Sequence, residues 1–173
     1  MKIIYIILAL LGIFLFNACT GTVQQQTPQK TYTRFQSVPL SQAILLQHGN
    51  KKEDCIICGM HLPTFYKTNH AATTKDHQIR QYCSLHCVVH DNEINKTDLY
   101  DVKVVDVTTL KFISAQSAYY VVGSMREGTM SHFSKYAFAK RKNADAFVKK
   151  YGGHVMNFYD AYTIAMQDFM TEE

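Results

Sequence analysis

The spacing of four cysteines constrains this chain more than any other feature. Cys55 and Cys58 form a C-x2-C pair, Cys83 and Cys87 a C-x3-C pair, and twenty-four residues separate the two pairs. Close pairs on separate segments draw those segments together, because each pair supplies two corners of a tetrahedron around a metal ion. Two disulfides are the other way to use the same residues, and an oxidising compartment favours them. The chain has 173 residues, 47% hydrophobic and 18% charged, which is enough apolar material for one ordinary domain with a core. Eighteen Lys and Arg against fourteen Asp and Glu leave a net charge of +4. The positive residues are spread along the chain, which gives no reason to expect nucleic-acid binding.

Lys2 precedes an unbroken apolar run of fourteen residues, Ile3 to Phe16. As a helix the run would reach about 21 Å, short of the ~30 Å hydrocarbon core of a bilayer. It reads as the apolar region of a secretory signal. Phe16-Asn17-Ala18-Cys19 resembles a bacterial lipobox, with Phe and Asn departing from the usual Leu and small residue. The expectation is a lipoprotein signal peptide over residues 1–18 and lipid on Cys19. A flexible tether over 19–34, containing Gln24-Gln25-Gln26 and Pro28, would lead to a metal-binding domain over 35–173. Several acyl chains on one residue hold a protein stably on a membrane, where a single chain is marginal. An uncleaved anchor or an ordinary signal peptide is the alternative, and each takes the domain out of the cytoplasm.

The folded part reads as two similar halves, roughly 51–115 and 116–173. Ser41 can open a short helix before Gly49-Asn50. Residues 71–82 carry a polar turn at Lys75-Asp76-His77 between β-prone arms, a hairpin pattern. Ser84 can cap a helix from Leu85 to about Ile94, and Tyr100 to Asp106 alternates as a strand, with Lys111 to Ser114 continuing the sheet. In the second half Tyr119 to Gly123 and His132 to Lys140 read as strands. Asn143 would cap a helix with Ala144, Phe147, Val148 and Tyr151 on one face, ended by Gly152-Gly153. Val155 to Tyr159 would be a strand and Ala161 to Phe169 a last helix. Strand, strand, helix, strand, twice over, predicts an α+β fold of two ββαβ units.

The ligand chemistry is sharpened by Cys55-Ile56-Ile57-Cys58-Gly59-Met60. In an extended segment Cys58 and Met60 would project a thiolate and a thioether on one face. A thioether is a good ligand for Cu(I) and a poor one for Zn(II). Cys87, in the first turn after Ser84, would have its thiol pKa lowered by the helix dipole. Met130 and His132 would share one face of an extended segment, and His86 lies between the last two cysteines. Met156 and Met166 fall in apolar periodic segments and read as core, whereas His48, His61, His70, His77, His90 and His154 read as surface residues.

With Tyr82-Cys83-Ser84, Tyr119-Tyr120-Val121-Val122-Gly123-Ser124, Gly128-Thr129-Met130, Tyr136-Ala137-Phe138 and Gly152-Gly153 added in that order, the C-x-x-C-G-M element resembles the NosL family. That resemblance implies a lipoprotein copper chaperone acting in the assembly of nitrous oxide reductase. It also implies a duplicated ββαβ fold similar to that of organomercurial lyase, holding Cu(I) through Cys58 and Met60. The family's second-half methionine maps onto Met130, with Thr129 where Pro is usual. Cys83 and Cys87 are less general in the family and suggest a subgroup with a thiolate-richer site or a different client.

The leading expectation is a Cu(I) carrier anchored to a bacterial membrane through Cys19, facing the periplasm or cell exterior, with apo nitrous oxide reductase as acceptor. Its candidate ligands are Cys58, Met60, Cys55, Cys83, Cys87, Met130 and His132. The alternative is a structural Zn(II) module on the four cysteines, acting through a protein partner. An enzyme ranks third. A redox C-x-x-C usually opens a helix after a strand, and Gly59-Met60-His61-Leu62-Pro63 does not fit that pattern. A carbon–metal lyase activity does not follow from a lyase-like fold.

Overall fold

A computed structural model describes residues 34–170. The apolar run, Cys19 and the tether as far as residue 33 lie outside the described residues.

Where Lys75-Asp76-His77 turns the chain, His77 takes a left-handed φ of 61° and its N–H returns to the Thr74 carbonyl at 2.9 Å. This closes the expected hairpin between β1 (His70–Thr74) and β2 (Ile79–Tyr82). β1 also pairs with β3 (Leu99–Val105), which in turn pairs with β4 (Phe112–Ser114). The antiparallel sheet therefore has the order β2-β1-β3-β4. Between β2 and β3 runs α1 (Leu85–Val89), which continues as a π turn over His90–Ile94.

The second half repeats the plan. β5 (Tyr119–Val122) lies between β6 (Lys135–Phe138) and β7 (His154–Met156), all antiparallel, and α2 (Arg141–Tyr151) connects the two flanking strands. In both units the first strand is central and the helix links the second strand to the third. The α+β expectation describes this architecture. α3 (Phe158–Gln167) packs back on α1, and a parallel bridge between Asp106 and Ala137 joins the sheets. The buried Asp106 carboxylate fixes that joint by accepting the N–H groups of Thr108, Thr109 and Ala139.

Several boundaries differ from the sequence reading. α2 starts at Arg141, with Lys140 and not Asn143 at the cap. The Arg141 to Asp145 pair at 2.9 Å extends the first turn, and Asn143 donates to Thr108 Oγ1 at 3.2 Å instead. β7 stops at Met156 because Asn157 Oδ1 accepts the Asp160 N–H at 3.0 Å and starts α3 three residues earlier than expected. β6 begins at Lys135, since residues 129–133 form bends. Ser84 occupies the cap position of α1, yet its hydroxyl makes no capping bond.

The larger core lies between the first sheet, α1 and α3, and includes Tyr82, Leu85, Val88, Val104, Tyr120 and Phe158. A second cluster of Val121, Tyr136, Phe138, Ala144 and Phe147 receives Phe35 and Tyr151 at its edge. Met156 packs against the larger core as expected, but Met166 is exposed. His70, read as a surface residue, is fully buried, with Nδ1 against the Thr68 carbonyl at 3.0 Å and Nε2 against the Tyr120 hydroxyl at 3.1 Å. Burial holds its pKa down at about 4. Among the described residues no helix is long and apolar enough to cross a membrane.

Candidate metal centre

The segment carrying the first cysteine pair is a tight loop closed by its own backbone. Cys55 N–H donates to the Met60 carbonyl at 2.8 Å and Gly59 N–H to the Cys55 carbonyl at 2.9 Å. The bridge between Asp54 and His61 clamps the base, and Leu62 N–H reaches the Glu53 carbonyl at 2.7 Å. Gly59 sits at φ +72°, a left-handed conformation that an L side chain resists. The loop hangs on β2 through Ile56 N–H, which donates to the Gln81 carbonyl at 3.2 Å. Two residues later β2 has ended and Cys83 leads into α1, with Cys87 one turn along.

Two buried amides hold these segments in register. Gln47 Nε2 donates to the Asp54 carbonyl at 2.6 Å, and its Oε1 accepts the Gln81 N–H at 2.9 Å. The Gln81 side chain bonds Leu46 N–H and Asn69 Oδ1 in turn. Thr68 Oγ1 lies 2.8 Å from the Cys83 carbonyl and 2.9 Å from Thr129 Oγ1, linking the site to the second unit. These positioning residues escaped the sequence reading, because a buried Gln or Thr has no periodic signature.

All four sulfurs converge. The Sγ atoms of Cys55, Cys58, Cys83 and Cys87 lie within 4.8 Å of one another. Cys58 to Cys83 is 3.5 Å, Cys83 to Cys87 is 3.6 Å and Cys87 to Cys58 is 3.7 Å. In this structure all four are free thiols, with no disulfide among them. A tetrahedron with metal–sulfur bonds of about 2.3 Å has edges of about 3.8 Å, close to these separations. The donor set thus fits a thiophilic ion with little movement. Cys55, Cys83 and Cys87 are buried, and Cys58 alone is partly exposed.

Without a cation, four neighbouring thiols divide their protons unequally. The Cys83 thiol, with that of Cys87, holds Cys55 far below the usual thiol range, and Cys83 also brings Cys58 down to about 7. The counterpart is that Cys83 and Cys87 are pushed well up, Cys87 chiefly by the neighbouring Cys55 sulfur. The lowering expected for Cys87 from the helix dipole is therefore overturned. α1 has only five residues, a short dipole beside an adjacent anion.

The remaining candidates are placed as follows. Met60 is partly buried beside the core cluster that contains the thiols. It and Cys58 flank a turn at Gly59 and not an extended segment. Met130 and His132 do not share an extended face either, because Met130 has a φ of 54° within a bend. Both are exposed, and His132 lies outside the sulfur group. Thr129, where Pro was the expected residue, is buried and uses its hydroxyl to meet Thr68. His86 stacks on Phe169 with centroids 4.3 Å apart, and Asp168 lies 3.5 Å from its Nδ1.

Comparison with known proteins bears on this centre. The model of a family described as NosL matches residues 47–164, which hold all four cysteines and both sheets. Among solved structures, the copper chaperone NosL from Shewanella denitrificans is 24% identical, with 66% of this chain and 92% of that chain covered and a TM-score of 0.54, a likeness of fold. No curated protein matches.

Proposed function

The chain belongs to the NosL family, and from that premise we propose that it is an extracytoplasmic Cu(I) carrier, not an enzyme, whose cargo is destined for nitrous oxide reductase. The observation that carries the reading is the convergence of four sulfurs within 4.8 Å, one of them reachable from outside. Soft thiolates select Cu(I) over harder ions, and a thioether beside them adds to that preference. In this reading Cys55, Cys83 and Cys87 form the buried wall of the site. Cys58 is the ligand an acceptor attacks first, and Met60 stands next to it across Gly59. Met130 and His132 lie on an exposed loop tied to the site through Thr68 and Thr129, where they can receive or pass on the ion. Residues 1–18 would direct export, Cys19 would carry the lipid, and residues 19–34 would lead to the domain over 35–173.

A second reading is supported by the same geometry. Separations of 3.5 to 3.7 Å among Cys58, Cys83 and Cys87, with the Cys55 sulfur within 4.8 Å of each, suit a structural Zn(II) tetrathiolate equally well. An anaerobic titration of the reduced protein with Cu(I) and Zn(II) against chelators separates the two, using wild type, Cys58→Ser and Met60→Leu. Tight Cu(I) binding weakened in both variants supports the carrier. Preferential Zn(II) binding that ignores Met60 and unfolds on chelation refutes it in favour of the clamp. Transfer of bound copper to apo nitrous oxide reductase, measured by recovery of its activity, tests the client.

A further inference from the structure

At the joint where the described chain begins, basic side chains gather around two aromatic rings. Phe35 inserts between Tyr136, Phe147 and Tyr151. Lys67 Nζ lies 4.4 Å from the Phe35 centroid and Arg126 Cζ 4.6 Å from it. Arg126 is also 4.2 Å from the Tyr151 centroid, and Lys150 Nζ approaches that ring to 5.1 Å. Arg34, next to Phe35 in the chain, lies 5.6 Å from the Phe65 centroid and pairs with Glu127 at 3.0 Å. Among the described residues Lys67, Arg126 and Lys150 have no carboxylate partner, and Arg126 Nε is buried without a hydrogen bond.

Like charges held this close repel one another, and the Lys67 ammonium registers it. Burial first, and Arg126 second, pull the Lys67 ammonium below its usual range. Arg126 and Lys150 together lower the Tyr151 phenol. An anion placed against the exposed ends of these cations would offset the repulsion.

We propose that this face, built from Arg34, Lys67, Arg126, Lys150 and Tyr151, docks on the phosphate headgroups of an anionic phospholipid bilayer. The occupant follows from where the chain leads. Arg34 opens the described domain, and the fifteen residues from Cys19 to Thr33 span at most about 50 Å even when extended. The proposal rests on the reading that Cys19 is the anchored residue. A tethered domain then stays near the bilayer, and its basic joint is the part nearest the tether's end. Gln36 fixes the joint rigidly, with its Nε2 on the Glu127 carbonyl at 2.9 Å and its carbonyl accepting the Lys67 N–H at 3.0 Å. Thr68, the residue after Lys67, holds the Cys83 carbonyl, so docking also sets the sulfur site at a fixed height above the lipid.

The test uses the full chain reconstituted with vesicles of phosphatidylcholine alone or mixed with phosphatidylglycerol. Lysine acylation, read by mass spectrometry, compares Lys67 and Lys150 with Lys75 and Lys96 in the same molecules. Lys67 and Lys150 should be protected on the anionic vesicles at low salt and lose that protection at high salt. Each cation near an anionic surface raises partition roughly fivefold, so Lys67→Gln with Arg126→Gln should lower the ratio of docked to undocked protein about 25-fold. Phosphatidylglycerol that protects all four lysines alike, or none, overturns the proposal. Protection by inorganic phosphate as strong as that by anionic vesicles also overturns it, by making the group a soluble-anion site. The mass of the N-terminal peptide, and flotation with phosphatidylcholine vesicles, report separately whether Cys19 carries lipid. The labelling comparison in excess anionic vesicles stands in either case.

Discussion

Replacing Gly59 by alanine isolates one physical quantity at the sulfur site. The space around a Cβ at this position is open, with no atom within 4 Å, so the substitution introduces no collision. Its cost is that of holding an L residue at φ +72°, about 1–2 kcal/mol. In denaturant titrations of the metal-loaded protein, Gly59→Ala should lower stability by that amount without changing the slope. Without metal the strain can be relieved by loosening the two backbone hydrogen bonds that close the loop, whereas a metal bound to Cys55 and Cys58 would hold the turn. Metal affinity should therefore fall by about tenfold, since 1.4 kcal/mol is a factor of ten. Gly152 serves as the control, because it too has φ +72° and open surroundings but ends α2 in the other unit. Gly152→Ala should cost at least as much stability, its ψ of −167° lying in a region used almost only by glycine, and leave metal affinity unchanged. An unchanged affinity in Gly59→Ala, or an equal loss in Gly152→Ala, would refute the claim that the Cys55–Met60 turn is held in shape by its glycine.

Metal uptake at pH 7 should release about two to three protons, from Cys83, Cys87 and part of the Cys58 population, so apparent affinity rises with pH; calorimetry in buffers of different ionisation enthalpy counts them, and release of none would contradict the proton distribution described. His70, held at about 4 against 6.5 in the unfolded chain, binds its proton less well when folded. Stability is thus undiminished above pH 6.5 and falls as pH drops towards 4, by about 3 kcal/mol in all. His70→Gln should flatten that part of the pH–stability curve, and an unaltered slope would point to other groups. Asp91 is fully buried and accepts Arg80 at 2.8 and 2.9 Å, Tyr82 at 2.8 Å and Thr97 at 2.9 Å. Asp91→Ala should destabilise by about 3 kcal/mol, and a thermal midpoint within error of wild type would show the network to be dispensable.

The elements legible in the sequence were those written by short-range chemistry. The polar triplet at Lys75-Asp76-His77 marked the hairpin, and the i, i+3, i+4, i+7 spacing of Ala144, Phe147, Val148 and Tyr151 marked α2. The two cysteine pairs announced their own convergence, since paired donors on separate segments have few other uses. Boundaries failed where a local bond outcompeted the pattern, as when Asn157 ended β7 by capping α3. Met130 and His132 do not share the face an extended segment would give them, because the closeness of Gly128 to Ser131 forces a bend. A Cβ on Gly128 would lie 2.4 Å from the Ser131 carbonyl oxygen. Nothing short-range could have shown that Gln47, thirty-four residues from Gln81, supplies the amide that registers the cysteine loop against β2.

The two units share strand order but fill the same plan with different material. One binds its loop and helix together at four thiols, and the other closes over Phe35, Tyr136, Phe147 and Tyr151. The aromatic half carries its own reference within the molecule: its amide exchange reports what this backbone achieves without a bound ion, against which the thiol half can be read residue by residue.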